Sequence, residues 1–388
     1  MDLNNIELSA CVSYGESSLS QLGEELNIGE HRSILLVTGQ KSYEHSGVCG
    51  LLKPILEGRK VLRVSNFSTN PKRLDVERII EELRGAEFTV IIAIGGGSVI
   101  DMAKLIKCFL NNPAQIEATL YHGSAPSPAE INLWAIPTTA GSGSEATHFA
   151  VVYDGEEKFS VGHQKLLPKK SWILPKVLAK VPEKVAAASG LDAFCQGVES
   201  YWSIYSTQES QALAEEAIKL SWKHMTAAVL DHDLFAIEQM GKASHLAGRA
   251  INITKTTAPH AVSYILTSHF GILHGHAVAI LLTEILCYND KVTDTDVLDA
   301  RGVIHVKKVL RDIVNLVGET SVLTAAAAIR AKIANLGLSV NIREMGVVTE
   351  ADRELIIKSG FNPERVNNNP RRLTEDGLCE ILNKMMQK

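Results

Sequence analysis

Two textures of hydrophobic and polar positions divide the chain. From Ser33 to about Pro182, short apolar runs alternate with amphipathic stretches, which predicts strands and helices around a mostly parallel sheet. SILLVTG (Ser33 to Gly39) and KVLRVSN (Lys60 to Asn66) predict strands, and NPKRLDVERIIEELR (Asn70 to Arg84) predicts an amphipathic helix. TVIIAIGGG (Thr89 to Gly97) reads as a buried strand ending in a glycine turn. Ser98 is placed to cap the following helix, with Asp101 three residues on completing a capping box. A further strand, NLWAIPTT, leads into a loop of small residues. After Pro182 the period lengthens. EKVAAASGLDAFCQGVESYWS, SQALAEEAIKLSWKHMTAAVL and DLFAIEQMGKASHLAGRAINI all carry apolar residues at helical spacing, and this continues to PRRLTEDGLCEILNKMM. The expected architecture is an α/β domain over residues 1–182 and an all-helical domain over 183–388.

Composition supports a well-packed globule. The 388 residues exceed what one core usually organises, 45% are hydrophobic and only 21% are charged. A net charge of -5 argues against non-specific nucleic-acid binding. The six cysteines have no CxxC spacing and most lie in apolar context, as reduced cytosolic thiols do. MDLNNIELSACVSYGESS lacks the basic-then-apolar order of a signal peptide, and no apolar tract is long enough for a membrane span. The expectation from these is a cytoplasmic enzyme with no nucleic-acid or membrane partner; a small-molecule substrate and a homodimeric assembly are expected on grounds other than composition.

Candidate chemistry concentrates in APHAVSYILTSHFGILHGHAV (Ala258 to Val278), which places His260, His269, His274 and His276 in an otherwise apolar stretch. Any one of them alone is better read as a core or capping histidine. Pro259 and Gly271 bracket a helix, however, so His260 and His274 fall at the starts of two successive helices. Upstream, GLDAFCQ puts Asp192 and Gln196 at i and i+4 on one helical face. A carboxylate, an amide oxygen and two imidazoles form a divalent-metal donor set with room for a substrate oxygen. In the first domain, Gly95-Gly96-Gly97-Ser98 lies between a buried strand and a helix start, where backbone N–H groups and the helix dipole favour an anion. It is not the GxGxxG fingerprint, and by itself it reads only as an anion loop. Thr138 to Glu145 is a second small-residue loop, suited to wrapping a nucleotide or to an ordinary connection.

Asp192, His260 and His274-Gly275, with IIAIGGGSVIDMAK (Ile91 to Lys104) and IPTTAGSGSEAT (Ile136 to Thr147), resemble the iron-containing alcohol dehydrogenase family over nearly the whole chain. The resemblance implies the dehydroquinate synthase-like fold, with the active site in the cleft between an α/β dinucleotide-binding domain and a helical metal-binding and substrate domain. It implies that Gly95, Gly96, Gly97 and Ser98 bind the cofactor diphosphate, that Thr138 and Thr139 contact the nucleotide with Ser144 in the same loop, and that Asn70 lies near the cofactor. Lys158 matches a family lysine that reaches the nicotinamide ribose; without the resemblance it reads as a surface turn lysine. Asp101 and Lys104 are expected to serve as cap and helix-surface charge.

Four departures from the family shape the reading. Gln196 stands where most members have a metal histidine, so it ligates weakly or supports a three-ligand site of Asp192, His260 and His274. Tyr264 replaces another active-site histidine and is a candidate proton donor, although a helical tyrosine more often packs in a core. His276 is a second catalytic candidate, ranked as structural because it points to another side of its helix. Lys255, among Thr254, Thr256 and Thr257, replaces an apolar glycine-containing turn and offers a cation to an oxyanion, with His163 and Lys165 as lesser substrate candidates. ITKTTAPHAVSY with GLDAFCQGVESYWS resembles the phosphonoacetaldehyde reductase branch. Finally, the first strand ends in Gly39 where NAD-using members carry an aspartate, and Lys41 follows, which favours NADP(H) over NAD(H).

The function expected is metal-dependent reduction of a small aldehyde, phosphonoacetaldehyde to 2-hydroxyethylphosphonate, with Fe2+ favoured over Zn2+. The alternatives are a primary-alcohol or 4-hydroxybutyrate-type dehydrogenase, a dehydroquinate synthase-like lyase, and a catalytically dead binding protein.

Overall fold

The computed structural model describes residues 11–155, 157–360 and 366–387. The first ten residues, on which the signal-peptide reading partly rests, lie outside them. The chain divides into two compact units, Met1–Val181 and Pro182–Lys388.

The first unit is built on six parallel strands: β1 (Cys11–Tyr14), β2 (Ser33–Thr38), β3 (Lys60–Val64), β4 (Val90–Gly95), β5 (Asn132–Pro137) and β8 (Lys170–Ile173), in the order β1-β8-β5-β4-β2-β3. Its helices are α1 (Leu19–Ile28), α2 (Ser42–His45), α3 (Val48–Leu56), α4 (Arg73–Glu82), α5 (Gly97–Phe109), α6 (Gln115–His122) and α7 (Pro175–Leu178). The alternation of side chains along each strand feeds two cores. Leu35 and Val37 of β2 pack with α4 and α5, whereas Ile34 and Leu36 pack with α1 and α3. The neighbours β2 and β4 therefore send their following helices to opposite faces. That divergence opens a crevice at their carboxyl ends, the usual ligand position in an open parallel sheet.

Three expectations need correction here. The helix expected from Asn70 begins at Arg73, because Pro71 disfavours helical backbone at Asn70, which takes φ +60°. The capping box at Ser98 does not form: Gly96 is the N-cap of α5 and no side chain caps it. An antiparallel pair, β6 (Phe149–Asp154) and β7 (Glu157–Gly162), was not anticipated and packs over α5.

Among the described residues the second unit is helical: α8 (Glu183–Trp202), α9 (Gln208–Leu230), α10 (Leu234–Thr254), α11 (Ala258–Ser268), α12 (His274–Asn289), α13 (Val303–Leu316), α14 (Val322–Asn335), α15 (Glu350–Gly360) and α16 (Glu375–Gln387). Helix α8 is its hub. Residues Gly190 to Trp202 are buried on every side, because α9, α10, α12 and α13 all pack on it. No helix among the described residues is long and apolar enough to cross a membrane.

Candidate metal centre and nucleotide crevice

In the second unit, helix starts place the donors. Pro259 lies in the first turn of α11, where its missing N–H costs nothing, and α12 begins at His274. Gly275 then allows α12 to touch α8. A Cβ at this position would lie 1.9 Å from the Ala188 carbonyl oxygen and 2.7 Å from Asp192 Cβ. With that approach, one ligand atom each from Asp192, His260 and His274 falls within 4.8 Å of the others. His260 Nε2 is 3.1 Å and His274 Nε2 3.9 Å from Asp192 Oδ1. Gln196, one turn along α8, hydrogen-bonds Asp192 through its side chain.

The sequence reading missed Glu199. It lies seven residues after Asp192 on the same face of α8 and is 0% exposed. Its Oε2 accepts from His260 Nδ1 at 2.6 Å and from the Thr257 amide at 3.2 Å, and its Oε1 accepts from the His260 amide at 3.1 Å. This makes Nδ1 the donor to Glu199 and turns Nε2 toward Asp192 and His274, the arrangement of a metal-ligating histidine with a carboxylate behind it. Burial alone lowers the pKa of the His260 imidazole. The Glu199 and Asp192 carboxylates outweigh it and push the value up to about 9. Burial also raises Asp192, but His274, His260 and Gln196 hold its carboxyl below the usual range. Two buried carboxylates converging on imidazoles favour a bound cation, and the mixed O/N donor set suits Fe2+ or Zn2+.

The other histidines of the stretch lie outside this cluster. His276 is buried and donates from Nε2 to the Ser339 carbonyl at 2.6 Å, with burial lowering its pKa against that bond. His269 is the exposed C-cap of α11. Tyr264, one turn after His260, stacks on His274 with ring centroids 6.0 Å apart and planes 6° from parallel.

Lys255 is exposed, whereas two of its three threonine neighbours turn their hydroxyls inward. Thr254 and Thr257 are fully buried and bond inward to α8: Thr254 Oγ1 lies 2.9 Å from Ser200 Oγ, and Thr257 Oγ1 accepts from Trp202 Nε1 at 2.8 Å. Asn368 donates to the Thr256 carbonyl at 3.2 Å. The turn is thus held from below, which sustains a strained backbone at Lys255 (φ +59°, ψ 177°) in a region otherwise left to glycine.

In the first unit, the cofactor candidates meet at the crevice. A Cβ on Gly96 would lie 3.3 Å from Thr139 Oγ1, and one on Gly97 would lie 2.8 Å from Ser142 Oγ. The glycine turn is therefore packed against the second loop with space for backbone only, the form of a diphosphate cradle. Gly95 ends β4, and its carbonyl accepts from the Thr138 amide at 3.0 Å. The Asn70 amide donates to Ser98 Oγ at 3.2 Å, which brings Asn70 to the same rim. Lys158, on β7, acts electrostatically on Asp101 and lies 6.0 Å from the Tyr153 ring centroid. His163 caps a short 3-10 turn by accepting from the Lys165 amide, and the Lys165 side chain pairs with Glu130.

Ser144, Asp101 and Lys104 behave differently from expectation. Lys104 is 0% exposed, and its Nζ lies 2.7–3.0 Å from the Ser144 carbonyl, Ser144 Oγ, Thr147 Oγ1 and the Phe149 carbonyl. Ser144 Oγ donates to Asp101 Oδ1 at 2.6 Å, and the Val151 amide donates to Oδ2 at 3.0 Å. This buried latch ties α5 to the second small-residue loop and β6, and it uses the Ser144 hydroxyl internally. Burial pulls Lys104 down to about 8 against the attraction of Asp101 and Glu145, and it pushes the Asp101 carboxyl up against Lys104.

The family described as iron-containing alcohol dehydrogenase matches residues 10–174, and its C-terminal counterpart matches 186–386. Phosphonoacetaldehyde reductase of Streptomyces viridochromogenes is 33% identical over 318 residues, covering 79% of this chain and 78% of that protein. NAD-dependent methanol dehydrogenase of Bacillus methanolicus is 27% identical, over 95% of this chain and 96% of its own. Sulfoacetaldehyde reductase from Bifidobacterium kashiwanohense, solved with NAD+, superposes with a TM-score of 0.87 at 25% identity, covering 98% of this chain and 97% of that one.

Proposed function

The chain belongs to the iron-containing alcohol dehydrogenase family and is an NAD-linked alcohol or aldehyde oxidoreductase; from that premise we propose that it reduces phosphonoacetaldehyde to 2-hydroxyethylphosphonate, with NADP(H) favoured. The observation that carries the substrate is Lys255, an exposed cation on a strained, well-anchored backbone five residues before His260. Two similar proteins, named for phosphonoacetaldehyde and sulfoacetaldehyde, act on two-carbon aldehydes with an anionic group, which agrees with a cation at this position.

Asp192, His260 and His274 are the proposed metal ligands, with Gln196 supporting Asp192 and Glu199 holding His260. A divalent cation there, Fe2+ in our reading, supplies Lewis-acid polarisation of a carbonyl, and the nicotinamide supplies the reducing equivalents. Gly95 to Ser98, Thr138, Thr139, Asn70 and Lys158 bind and orient the cofactor. Tyr264 offers a hydroxyl proton beside His274, while His276 and Ser144 serve structure. Each turnover consumes one NAD(P)H and one proton per aldehyde reduced. We take the enzyme to be a cytoplasmic homodimer; sedimentation of the purified protein tests the assembly.

A panel of aldehydes followed by nicotinamide absorbance tests the substrate. Preference for phosphonoacetaldehyde over propanal is expected. Equal turnover of both would remove the phosphonate from this account and leave a general alcohol dehydrogenase.

A further inference from the structure

We propose that Arg63 is the cation that recognises a 2′-phosphate on the adenosine ribose, and that it, rather than Lys41, sets the cofactor preference. The inference rests on the preceding reading that NADP(H) is favoured.

Strands β2 and β3 pair in parallel with Leu36 opposite Arg63, so the Arg63 side chain starts near the carboxyl ends of both. Its Nε donates to Oγ1 of Thr38, the last residue of β2, at 2.9 Å. Its guanidinium carbon lies 4.6 Å from the centroid of the Tyr43 ring, in the short helix that follows. The two contacts anchor the guanidinium beside Gly39. Across the same opening, Gln40 Nε2 donates to Asn66 Oδ1 at 3.2 Å and ties the two strand ends together.

In dinucleotide-binding sheets, an acidic side chain near a strand end accepts from the ribose hydroxyls of NAD, and an arginine nearby accommodates the extra phosphate of NADP. At Gly39 the acid is missing and its space is filled. A Cβ there would lie 2.2 Å from Ser42 Oγ, so a hydroxyl stands where an aspartate side chain would begin. The crevice rim thus carries a hydroxyl and a stacked guanidinium in place of a carboxylate. A planar fork suits a phosphate dianion better than the point charge of Lys41, which is exposed at the N-cap of α2. The opposing charge is Glu44, whose Oε1 is 3.7 Å from Arg63 Nη1. With side chains 68% and 33% exposed, that pair is screened and weak, and a dianion displaces it.

The test is titration of the purified enzyme with adenosine 2′,5′-bisphosphate and with 5′-AMP by calorimetry, alongside NADPH and NADH. Wild type should bind the bisphosphate more tightly. Arg63→Gln should lose about ten- to hundredfold of that affinity while 5′-AMP and NADH are little changed. Arg63→Lys should retain part of the affinity, Glu44→Gln should tighten the bisphosphate, and Lys41→Gln should lose less than Arg63→Gln. Equal binding of the two nucleotides by wild type would overturn the NADP(H) reading together with this inference. A wild type that prefers the bisphosphate, with the preference intact in Arg63→Gln or lost more severely in Lys41→Gln, would overturn the Arg63 assignment alone.

Discussion

Glu199→Gln is the sharpest perturbation of the metal centre because it changes no shape and replaces no proposed ligand. In the native site both carboxylate oxygens accept: Oε2 takes His260 Nδ1 and the Thr257 amide, and Oε1 takes the His260 amide. Glutamine keeps only one oxygen. Whichever way the amide is turned, an NH2 faces at least one N–H at 0% exposure, where no water relieves the conflict. Losing a hydrogen bond to a charged acceptor costs about 1.5–3 kcal/mol. The His260 ring is then less firmly held and a weaker donor, so metal affinity should fall about 10–100-fold, or roughly 1.4–2.7 kcal/mol. Competition for Fe2+ or Zn2+ against a chromophoric chelator measures this, with circular dichroism to confirm the fold. An affinity within about twofold of wild type in a folded variant would refute the role given to Glu199.

Three further substitutions separate packing, strain and electrostatics. Gly275→Ala forces a methyl against the rigid Ala188 carbonyl and should drive α12 from α8, lowering both Tm and metal content; full metal occupancy would contradict the close-approach argument. Lys255→Gly should relieve about 1–3 kcal/mol of backbone strain and raise Tm while increasing KM for phosphonoacetaldehyde about ten- to hundredfold relative to propanal, and an unchanged KM ratio would remove Lys255 from substrate recognition. Lys104→Met should weaken NADPH binding with little change in the KM for aldehyde. For stability, the folded Lys104 pKa of about 8 lies below its ordinary 10.5, so the folded state binds fewer protons between these values and this group's contribution to stability rises with pH across that window. The Met variant should lack that component, and identical Tm–pH profiles for the two proteins would contradict it.

The clustering of Asp192, His260 and His274 was legible because each is a polar exception in an apolar helix. Pro259 and Gly271 punctuate the chain so that His260 falls in the first turn of α11 and His274 opens α12. Glu199 carried a signal of the same kind, an acid at i+7 from Asp192, but an i,i+4 reading stops short of it. The Lys104 latch was hidden for a different reason. Charge on an amphipathic helix is assigned to solvent by default, yet α5 is covered on its second side by β6 and β7, which the periodicity did not reveal. The oxygens that receive Lys104 come from Ser144, Thr147 and Phe149, distant in sequence and partly backbone. Likewise, the sequence sets threonines beside Lys255, but whether Thr254 and Thr257 face outward depends on the register of α10 and α11 against α8.

The central claim is that a metal held by Asp192, His260 and His274 serves reduction of an anionic aldehyde. Its most direct test is kcat/KM for phosphonoacetaldehyde and for propanal with NADPH, measured on metal-loaded wild type and on Asp192→Ala with metal content determined for both. The account predicts that wild type favours phosphonoacetaldehyde by about tenfold or more, the selectivity of one charge-assisted contact, and that Asp192→Ala loses both metal and turnover. Turnover that persists in metal-free Asp192→Ala, or a wild type indifferent to the phosphonate, would contradict it.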